Sequence, residues 1–369
     1  MIKVMTIFGT RPEAIKMAPL ILELKSRKEI ECIICVTAQH REMLDQVLKL
    51  FKLVPNYDLN IMEKGQTLTD ITDHVLIKLN QVLQKEQPDL VLVHGDTTTT
   101  FSAALAAFYN QIDIGHVEAG LRTYQKYSPY PEEMNRQMVT ALADLYFAPT
   151  DLSRENLISE NRNPELIYVT GNTAIDAMKY TIHDNYNHEV LNWVGSNRLI
   201  LLTAHRRENL GEPMYHIFNA IKRITEKYSD VRVVYPIHLN PKIRSIADEI
   251  LGKIENVKII EPLDVIDFHN FQKKAYMILT DSGGVQEEAP SLGKPVLVLR
   301  NTTERPEGVT AGTLKLVGTD EAKIFSSICK LLDDKIEYQK MSNATNPYGT
   351  GDASKKIVDI IISKYGKID

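Results

Sequence analysis

Short apolar runs alternate with longer amphipathic stretches along almost the whole chain. A short continuous apolar run is typical of a buried strand, and apolar residues at every third or fourth position are typical of a helix with one buried face. Strands that alternate with helices usually form a parallel sheet that helices cover on both faces. The pattern therefore predicts an α/β protein with doubly wound sheets.

The first half of the chain contains one complete set of these elements. Its predicted strands are KVMTIF, ECIICV, DLVLV, DIGHV, LYFAP and LIYV. Its predicted helices are EAIKMAPLILELKSR, REMLDQVLKLF and LTDITDHVLIKLNQVLQKE, and another begins near Ala174. The segment NHEVLNWVGSN, which follows, is polar and broken.

The alternation then restarts and predicts a second parallel sheet. Its strands are RLILLTA, VRVVYP, VKII, YMILT and PVLVL, and its helices are expected at 214–227, after Asn240-Pro241, near 267–274 and from Gly284. A chain of 369 residues favours two domains, at about 100–200 residues each. We place one Rossmann-like domain at 1–170 and another at 171–352, with a ligand-binding cleft between them.

Composition narrows the function classes without identifying one. The 43% hydrophobic and 25% charged residues are ordinary for a globular protein, and a net charge of −5 argues against a general nucleic-acid binder. No apolar run is long enough to predict a membrane span. The start MIKVMTIFGT lacks a leader pattern, and three cysteines suit a reducing compartment, so we expect a cytoplasmic protein.

The stretch from His94 to Arg136 places three carboxylates where such a fold carries chemistry. Asp96 and Glu118 follow neighbouring predicted strands, and open α/β sheets bind ligands at the carboxyl ends of their strands. Glu132 lies beside a helix start that Pro131 opens. These carboxylates are candidates for acid and base catalysis.

The first turn between a strand and a helix, FGTRPE, predicts an anion site. It lacks a G-x-G-x-x-G fingerprint, so no dinucleotide cofactor is expected there. Gly9 lets the backbone approach a ligand, and Arg11 and Lys16 bring two cations near the helix start. The alternative is an ordinary tight turn with solvated cations.

Two further segments after strands predict phosphate binding. His205 follows RLILLTA directly and precedes Arg206 and Arg207, which suits an anion site with a proton donor. In LTDSGG, Ser282 is the predicted N-cap of a helix that opens with two glycines. The N–H groups and positive dipole of such a helix start can hold a phosphate.

Some neighbouring residues are more ambiguous. Glu288, one turn into that helix, can accept hydrogen bonds from ribose hydroxyls, or else Glu287 and Glu288 form a solvated pair. His238 and Arg305 each follow a strand but are weak signals alone. No metal-binding motif is present, although carboxylates can bind Mg²⁺ together with substrate phosphates.

The two halves of the chain thus carry different chemistry. The carboxylates fall in the N-terminal half and the phosphate-binding features fall in the C-terminal half. This division suits a nucleoside diphosphate that one domain binds while its attached group reacts in the other.

These motifs together resemble one family. They are GTRPEAIKMAPL, TAQHR, VHGDTTTT, HVEAGLR, PEEMNR, VTGNTAID, TAHRREN, PIHLNP, DSGGVQEEAP and TERPEG. In this order they resemble the non-hydrolysing UDP-N-acetylglucosamine 2-epimerases. The tail NPYGTG departs slightly from the more usual NPYGDG.

The resemblance implies a glycosyltransferase-B-like fold whose C-terminal helix, residues 353–369, crosses back to the N-terminal domain. It implies reversible conversion of UDP-GlcNAc to UDP-ManNAc by a homodimer, without a cofactor, a metal, a nucleic acid or a membrane. It also implies a role in supplying bacterial surface polysaccharide.

The resemblance further implies roles for individual residues, carried over by motif. The catalytic positions are Asp96, Glu118, Glu132 and His205. The UDP contacts are Arg11, Lys16, Phe268, Ser282, Gly283, Gly284, Glu288 and Arg305, with Phe268 placed by its position in the helix DVIDFHNF. A second, activating UDP-GlcNAc would contact Gln39, Gln66, Arg206 and His238.

The chemistry of a 2-acetamido sugar explains why several carboxylates are needed. Its C2 proton is not next to a carbonyl, so removal requires transient oxidation or elimination of UDP, and the fingerprint of an oxidising cofactor is missing. Elimination to a 2-acetamidoglucal and re-addition on the other face need two acid/base groups. The alternatives are a hydrolysing relative, a glycosyltransferase of the same fold and a non-catalytic nucleotide-sugar sensor.

Overall fold

The chain divides into two compact units. A computed structural model describes residues 1–39 and 41–366, apart from the side chain of Arg207. Unit 1 comprises Met1–Ala177 and Tyr348–Asp369, and unit 2 comprises Met178–Pro347. The division falls within a helix that spans Thr173–Thr181, slightly beyond the boundary that we placed after residue 170.

Unit 1 contains a parallel sheet with helices on both faces. Its strands are β1 (Ile2–Phe8), β2 (Ile30–Val36), β3 (Tyr57–Asp58), β4 (Leu90–His94), β5 (Asp113–Val117), β6 (Leu145–Ala148) and β7 (Ile167–Val169). Its helices are α1 (Arg11–Ser26), α2 (Arg41–Leu50), α3 (Leu68–Glu86), α4 (Thr98–Tyr109), α5 (Glu132–Leu142), α6 (Asp151–Ser159) and the start of α7 (Thr173–Thr181). The strand order is β3-β2-β1-β4-β5-β6-β7.

Unit 2 contains a second parallel sheet. Its strands are β8 (Arg198–Thr203), β9 (Val231–Pro236), β10 (Val257–Ile260), β11 (Met277–Thr280), β12 (Val296–Val298) and β13 (Leu314–Leu316), in the order β10-β9-β8-β11-β12-β13. Its helices are α8 (Glu189–Val194), α9 (Glu212–Lys227), α10 (Pro241–Ile250), α11 (Val265–Lys274), α12 (Gly283–Ser291), α13 (Pro306–Ala311), α14 (Glu321–Asp333) and α15 (Lys335–Ser342).

The last helix, α16 (Ala353–Tyr365), belongs to unit 1. Its apolar face buries Ile357, Val358 and Ile361 in the same cluster as residues of α1. A hydrogen bond of 2.7 Å from Arg27 to Asp359 supports this packing at the surface. The end of the chain therefore completes the core of the unit that contains its beginning.

Each sheet is buried on both faces, which explains why its strands are almost continuously apolar. In β1, Val4 and Phe8 join the cluster on one face, while Met5 and Ile7 join the cluster on the other. The register of β1 against β2 and β4 is parallel throughout. The doubly wound arrangement predicted from the alternation is therefore present in both units.

Some local elements differ from the expectation. The segment that we described as broken contains α8, which His188 caps by accepting a hydrogen bond from the Val190 amide. Val190 and Val194 of this helix are buried in the core of unit 2, so tertiary packing stabilises a helix too short to predict from its pattern. No described helix is both long enough and apolar enough to cross a bilayer.

The strand orders define where ligands are expected. In unit 1 the order reverses between β1 and β4, and in unit 2 it reverses between β8 and β11. Open α/β sheets bind ligands beyond the carboxyl ends of strands at such a switch point. The segments that follow these four strands begin at Gly9, Gly95, Ala204 and Asp281, which are all in motifs identified above.

Candidate active site

A buried carboxylate organises the unit 1 switch point. Glu13 of α1 accepts hydrogen bonds from the amides of Gly9 and Thr10, at 3.2 and 2.8 Å. It also accepts hydrogen bonds from the hydroxyls of Thr97 and Thr100, at 2.8 and 3.1 Å. Burial raises the pKa of Glu13 despite these donors. Glu13 thus joins the turn after β1 to the start of α4.

This turn requires the glycine at position 9. A Cβ there would lie 1.9 Å from the Thr37 hydroxyl oxygen and 2.8 Å from that of Thr99. Arg11 begins α1 immediately after the turn and is partly exposed. The sequence predicted that the Gly9 backbone approaches a ligand. In the structure, this backbone packs closely against threonine side chains of the protein.

Asp96 follows β4 and pairs with a cation. The Arg136 guanidinium donates to its Oδ2 at 2.6 Å, and Asn135 donates to its backbone carbonyl at 2.9 Å. Burial raises the pKa of Asp96, Arg136 and Lys16 oppose the shift, and the charges of Glu118 and Glu132 add to it. Glu118 and Glu132, the other two predicted carboxylates, therefore lie within electrostatic range of Asp96.

Glu118 is held in an unusual backbone conformation after β5. Its φ of 64° lies in the left-handed region, which costs energy for a residue with a side chain and is frequent at functional sites. Its Oε2 accepts hydrogen bonds from the Lys16 ammonium and, at 2.9 Å, from the Asn172 amide. Lys16 therefore contacts a catalytic candidate directly.

A buried histidine lies beside Glu118. The His94 side chain is 4% exposed, and its Nε2 lies 3.8 Å from Glu118 Oε2. That nitrogen makes no hydrogen bond with the described residues. Burial lowers the pKa of His94 to about 4, so the imidazole is neutral. An acceptor nitrogen next to a carboxyl group can accept its proton or a hydrogen bond from it.

The structure distinguishes Glu132 from Glu133 at the start of α5. Glu133 is fully buried and accepts hydrogen bonds from the amides of Thr123 and Tyr124, both at 3.0 Å. Glu132 is partly exposed, and its buried Oε2 accepts no hydrogen bond from the described part of the chain. Glu133 therefore anchors a loop, whereas Glu132 remains available for chemistry.

His205 follows β8 at the unit 2 switch point. Its Nδ1 lies 3.3 Å from Asp281 Oδ1, and its ring stacks on that of His238 with the centroids 5.6 Å apart. The His205 side chain is 40% exposed. Its partial burial lowers the pKa of His205, Asp281 opposes this shift, and His238 and Arg206 add to it. A histidine whose neighbours push its pKa in opposite directions is suited to proton transfer.

The N-terminus of α12 is the candidate anion cradle. Ser282 is its N-cap, although the serine side chain makes no capping hydrogen bond within the described residues. A Cβ on Gly283 would lie 3.8 Å from an Arg305 guanidinium nitrogen and 3.9 Å from one of Arg206. Backbone N–H groups and two guanidinium groups therefore converge where the glycine has no side chain.

The two glutamates of α12 have different partners. Glu287 is 1% exposed and pairs with Arg305. Glu288 accepts a hydrogen bond from Gln272 of α11 at 2.9 Å and lies 3.6 Å from His269 Nε2. The alternative of a solvated pair is thus not present. Glu287 orients a cation of the cradle, and Glu288 faces polar groups of α11.

The remaining predicted contacts lie on nearby elements of their own units. Phe268 of α11 packs against the apolar cluster that contains Val285 of α12. In unit 1, Gln39 accepts a hydrogen bond from Thr99 at 2.9 Å, and Gln66 accepts one from the Glu63 amide at 3.2 Å.

Several residues of these clusters were not predicted as site residues. They are Glu13, His94, Arg136 and Asn172 in unit 1, and Asp281, His269 and Gln272 in unit 2. Most belong to the quoted motifs, so the signal was their adjacency to predicted residues. Among the described residues, no group of three or more His, Cys, Asp or Glu side chains is arranged to hold a metal ion.

The sequence matches a family model described as UDP-N-acetylglucosamine 2-epimerase over residues 22–362. The chain belongs to this epimerase family. It is 62% identical to the UDP-N-acetylglucosamine 2-epimerase of Bacillus subtilis (strain 168) over 365 residues, which cover 99% of this chain and 96% of that protein.

Solved structures of relatives agree with the family assignment. The co-structure of S. aureus MnaA with UDP is 57% identical, with a TM-score of 0.91 and coverage of 99% of this chain and 97% of that one. The Neisseria meningitidis UDP-GlcNAc 2-epimerase bound to UDP-GlcNAc is 50% identical, with a TM-score of 0.88 and coverage of 98% and 100%. The predicted family and the glycosyltransferase-B-like fold class with two Rossmann-like domains are therefore confirmed.

Proposed function

We propose that the protein interconverts UDP-GlcNAc and UDP-ManNAc by eliminating and re-adding UDP. The observation that carries the proposal is the cluster of Asp96, Glu118 and Glu132 in unit 1, because the charges of both glutamates act on Asp96. Unit 2 adds an anion cradle of helix N–H and guanidinium groups at α12. The related structures with bound UDP and with bound UDP-GlcNAc support the choice of substrate.

In the proposed reaction, a carboxylate of unit 1 removes the C2 proton. The C2–H electron pair forms the C1–C2 double bond, and the C1–O bond breaks with its electrons passing to the UDP oxygen. The resulting 2-acetamidoglucal then takes a proton at C2 from the opposite face while UDP adds back to C1. Atoms and charge balance without a cofactor, and two separately placed acid/base groups are required.

The environments of the carboxylates suit these two tasks. Burial favours the protonated form of Asp96, Arg136 and Lys16 oppose this effect, and Glu118 accepts a hydrogen bond from the Lys16 ammonium. Carboxyl groups in different surroundings can act as acid and base at one pH. We propose that Asp96, Glu118 and Glu132 share these roles, and that the reverse reaction exchanges them.

The residues of unit 2 are proposed to bind and stabilise the departing UDP. The α12 N-terminus, Arg305 and His205 offer hydrogen-bond donors for the diphosphate, and Arg11 of unit 1 adds a further cation. Glu288 and Phe268 are proposed to contact the nucleoside. Gln39, Gln66, Arg206 and His238 are proposed to bind an activating second UDP-GlcNAc.

The assembly, location and pathway are also proposals. We propose a cytoplasmic homodimer that supplies ManNAc units for surface polysaccharide. Exposed apolar side chains on the adjoining helices α3 and α4 support the dimer, because Ile77, Phe108 and Tyr109 are 56%, 54% and 67% exposed. Light scattering of the purified chain, compared with its mass of 41.8 kDa, tests this part.

Incubation with UDP-GlcNAc in D₂O tests the reaction itself. We expect UDP-ManNAc that carries deuterium at C2, with little free UDP. Release of free ManNAc and UDP in bulk would instead support the hydrolysing alternative. An unchanged sugar nucleotide would contradict the epimerase proposal and favour a sensor or a transferase that lacks its acceptor.

A further inference from the structure

Asp281 lies at the unit 2 switch point and has no exposed surface. Its Oδ2 accepts three hydrogen bonds, from the His205 and Arg206 amides at 2.8 Å each and from the Asn209 side-chain amide at 3.0 Å. Three donors satisfy one carboxylate oxygen and fix the plane of the group. Asp281 therefore holds the turn that carries His205.

The second oxygen of the same carboxylate has a different environment. Asp281 Oδ1 is buried, accepts no hydrogen bond from the described residues and lies 3.3 Å from His205 Nδ1. Because Oδ2 is anchored, Oδ1 cannot turn away from the imidazole without breaking three hydrogen bonds. A buried carboxylate oxygen without a donor is costly, so a proton on His205 Nδ1 would stabilise the pair.

We propose that Asp281 is a positioning residue for His205, whose Nδ1–H donates to Asp281 Oδ1 and whose Nε2 carries the proton exchanged with the diphosphate. This proposal rests on the role of His205 in the proposed function. The carboxylate selects one neutral tautomer, keeps Nε2 available and stabilises the imidazolium when it forms. The same division of roles operates when a carboxylate orients a catalytic histidine in hydrolases.

The groups that face His205 make this contribution necessary. Arg206 and His238 disfavour a positive charge on the ring, as does burial, whereas Asp281 favours it. Without the carboxylate, the imidazolium would lose its anionic neighbour and keep its cationic ones. Proton transfer through Nε2 would then become unfavourable at neutral pH.

The variant Asp281→Asn separates anchoring from positioning. The asparagine oxygen can still accept the three donors that hold the turn, while its NH₂ group faces His205 Nδ1. A donor in that position favours the neutral tautomer with the proton on Nε2 and opposes the imidazolium. The variant therefore preserves the turn that carries His205. It moves the proton of the neutral imidazole from Nδ1 to Nε2.

For this variant we expect kcat to fall by about 100-fold or more, because general acid/base catalysis by one group is worth about 10²–10⁴-fold. UDP affinity should change by less than about threefold, because the donors of the α12 cradle are untouched. The alkaline limb of the kcat/KM profile should move to lower pH, as expected when the imidazolium loses a negative neighbour.

The matched control is Asp176→Asn. Asp176 is also a buried aspartate and accepts hydrogen bonds from the Ala353 and Ser354 amides, at 3.2 and 2.8 Å. It should reproduce any general effect of losing a buried carboxylate, without a shift of the pH profile. An equal loss of kcat and an equal profile shift in both variants would overturn the proposal.

A readout on the unmodified protein does not depend on turnover or on the folding of the variant. In ¹⁵N-histidine spectra at high pH, assigned with His205→Ala, neutral His205 should carry its proton on Nδ1. A proton on Nε2 would overturn the proposal even if the protein epimerises its substrate. Conversely, the Nδ1–H tautomer in a protein that does not epimerise would support the pairing while the proposed function fails.

Discussion

The two units share a fold and a type of switch point but carry side chains of opposite charge there. In unit 1, the strand ends bring together acids, namely Asp96, Glu118 and Glu132. In unit 2, the equivalent strand ends bring together His205 and the guanidinium groups of Arg206 and Arg305. The sheet topology thus determines where a site forms, and the side chains after the strands determine what it can do.

The units also differ in how their charges are balanced. Asp96 of unit 1 is partly buried near other acids, and both effects raise its pKa. In unit 2, Glu304 is also partly buried, yet hydrogen bonds from Arg300 lower its pKa to about 2. In unit 1, burial thus favours the protonated form of Asp96, whereas in unit 2 the Arg300 partner of Glu304 favours its charged form. Variants of Asp96 and Glu304 can therefore test this difference between the units.

The largest expected effect is that of Asp96→Asn on turnover. It removes a proposed acid/base group while leaving the cradle of unit 2 unchanged, so kcat should fall by about 10²–10⁴-fold and UDP should still bind. Turnover by product analysis and UDP binding by calorimetry measure the two effects. Unchanged rates in the variant would show that Asp96 has no part in the mechanism. Loss of UDP binding would contradict the proposal that unit 2 binds UDP while unit 1 carries the acid/base groups.

The adjacent pair Glu132→Gln and Glu133→Gln provides a matched comparison within unit 1. Glu132→Gln should reduce turnover by about 100-fold with little change in stability. Glu133→Gln should instead cost about 1–3 kcal/mol of stability, because at least one of its amide donors would face an NH₂ group. Thermal denaturation and turnover of both variants measure the difference. The reverse pattern would assign the catalytic role to Glu133 and the structural role to Glu132.

The fold was largely predictable from the sequence, for a physical reason. Strands that are buried on both faces appear in the sequence as apolar runs. The alternation of these runs with amphipathic stretches therefore predicted both parallel sheets. The two-residue β3 and the three-residue β13 lie at sheet edges and are too short to produce such a run. Helix α8 depends on burying two valines against residues distant in sequence, which no local pattern records.

The position of the candidate site could be predicted from the sequence, but the hydrogen-bond partners of its residues could not. Residues that follow strands at a switch point can be read from the chain, and these included Asp96, His205 and Ser282. The hydrogen bond between Glu118 and Asn172 joins residues far apart in sequence, as does the pairing of His205 with Asp281. Such pairings depend on the register of the folded units. The sequence could therefore indicate which carboxylates to examine, but not which of them are neutralised.

The pH dependence of stability can test the contrast between the units. Glu304 has a folded pKa of about 2 against an ordinary value of 4.5, so its stabilising effect is present above pH 4.5 and is lost as the pH falls towards 2. Glu304→Gln should therefore cost about 3 kcal/mol near pH 7 and progressively less at lower pH.

Asp96→Asn should behave in the opposite way. Because the folded pKa of Asp96 is raised, the native protein binds the proton more tightly than the unfolded chain does, and stability is lost as the pH rises through that pKa. The variant should therefore gain thermal stability relative to the parent as the pH increases. Melting curves of the parent and both variants across the pH range measure these trends, and parallel trends in the two variants would contradict the comparison.

The smallest expected effect is that of Gly283→Ala on UDP binding. The added methyl group would meet the Arg305 and Arg206 guanidinium nitrogens at 3.8 and 3.9 Å, which is ordinary contact, so the variant should fold normally. The methyl group would nevertheless occupy space beside the helix N–H groups that the diphosphate is proposed to approach. We expect UDP affinity to fall about tenfold, equivalent to about 1.4 kcal/mol.

Gly252→Ala is not a suitable control, because its Cβ would lie 2.5 Å from the Asp248 carbonyl oxygen. Gly211 has open space but a φ of +91°. Ser291→Ala, at the far end of α12, is the better comparison, since it alters the same helix away from its N-terminus. Equal UDP affinity in the Gly283 and Ser291 variants would show that the α12 start does not bind the diphosphate, and the cationic character of unit 2 would then need another explanation.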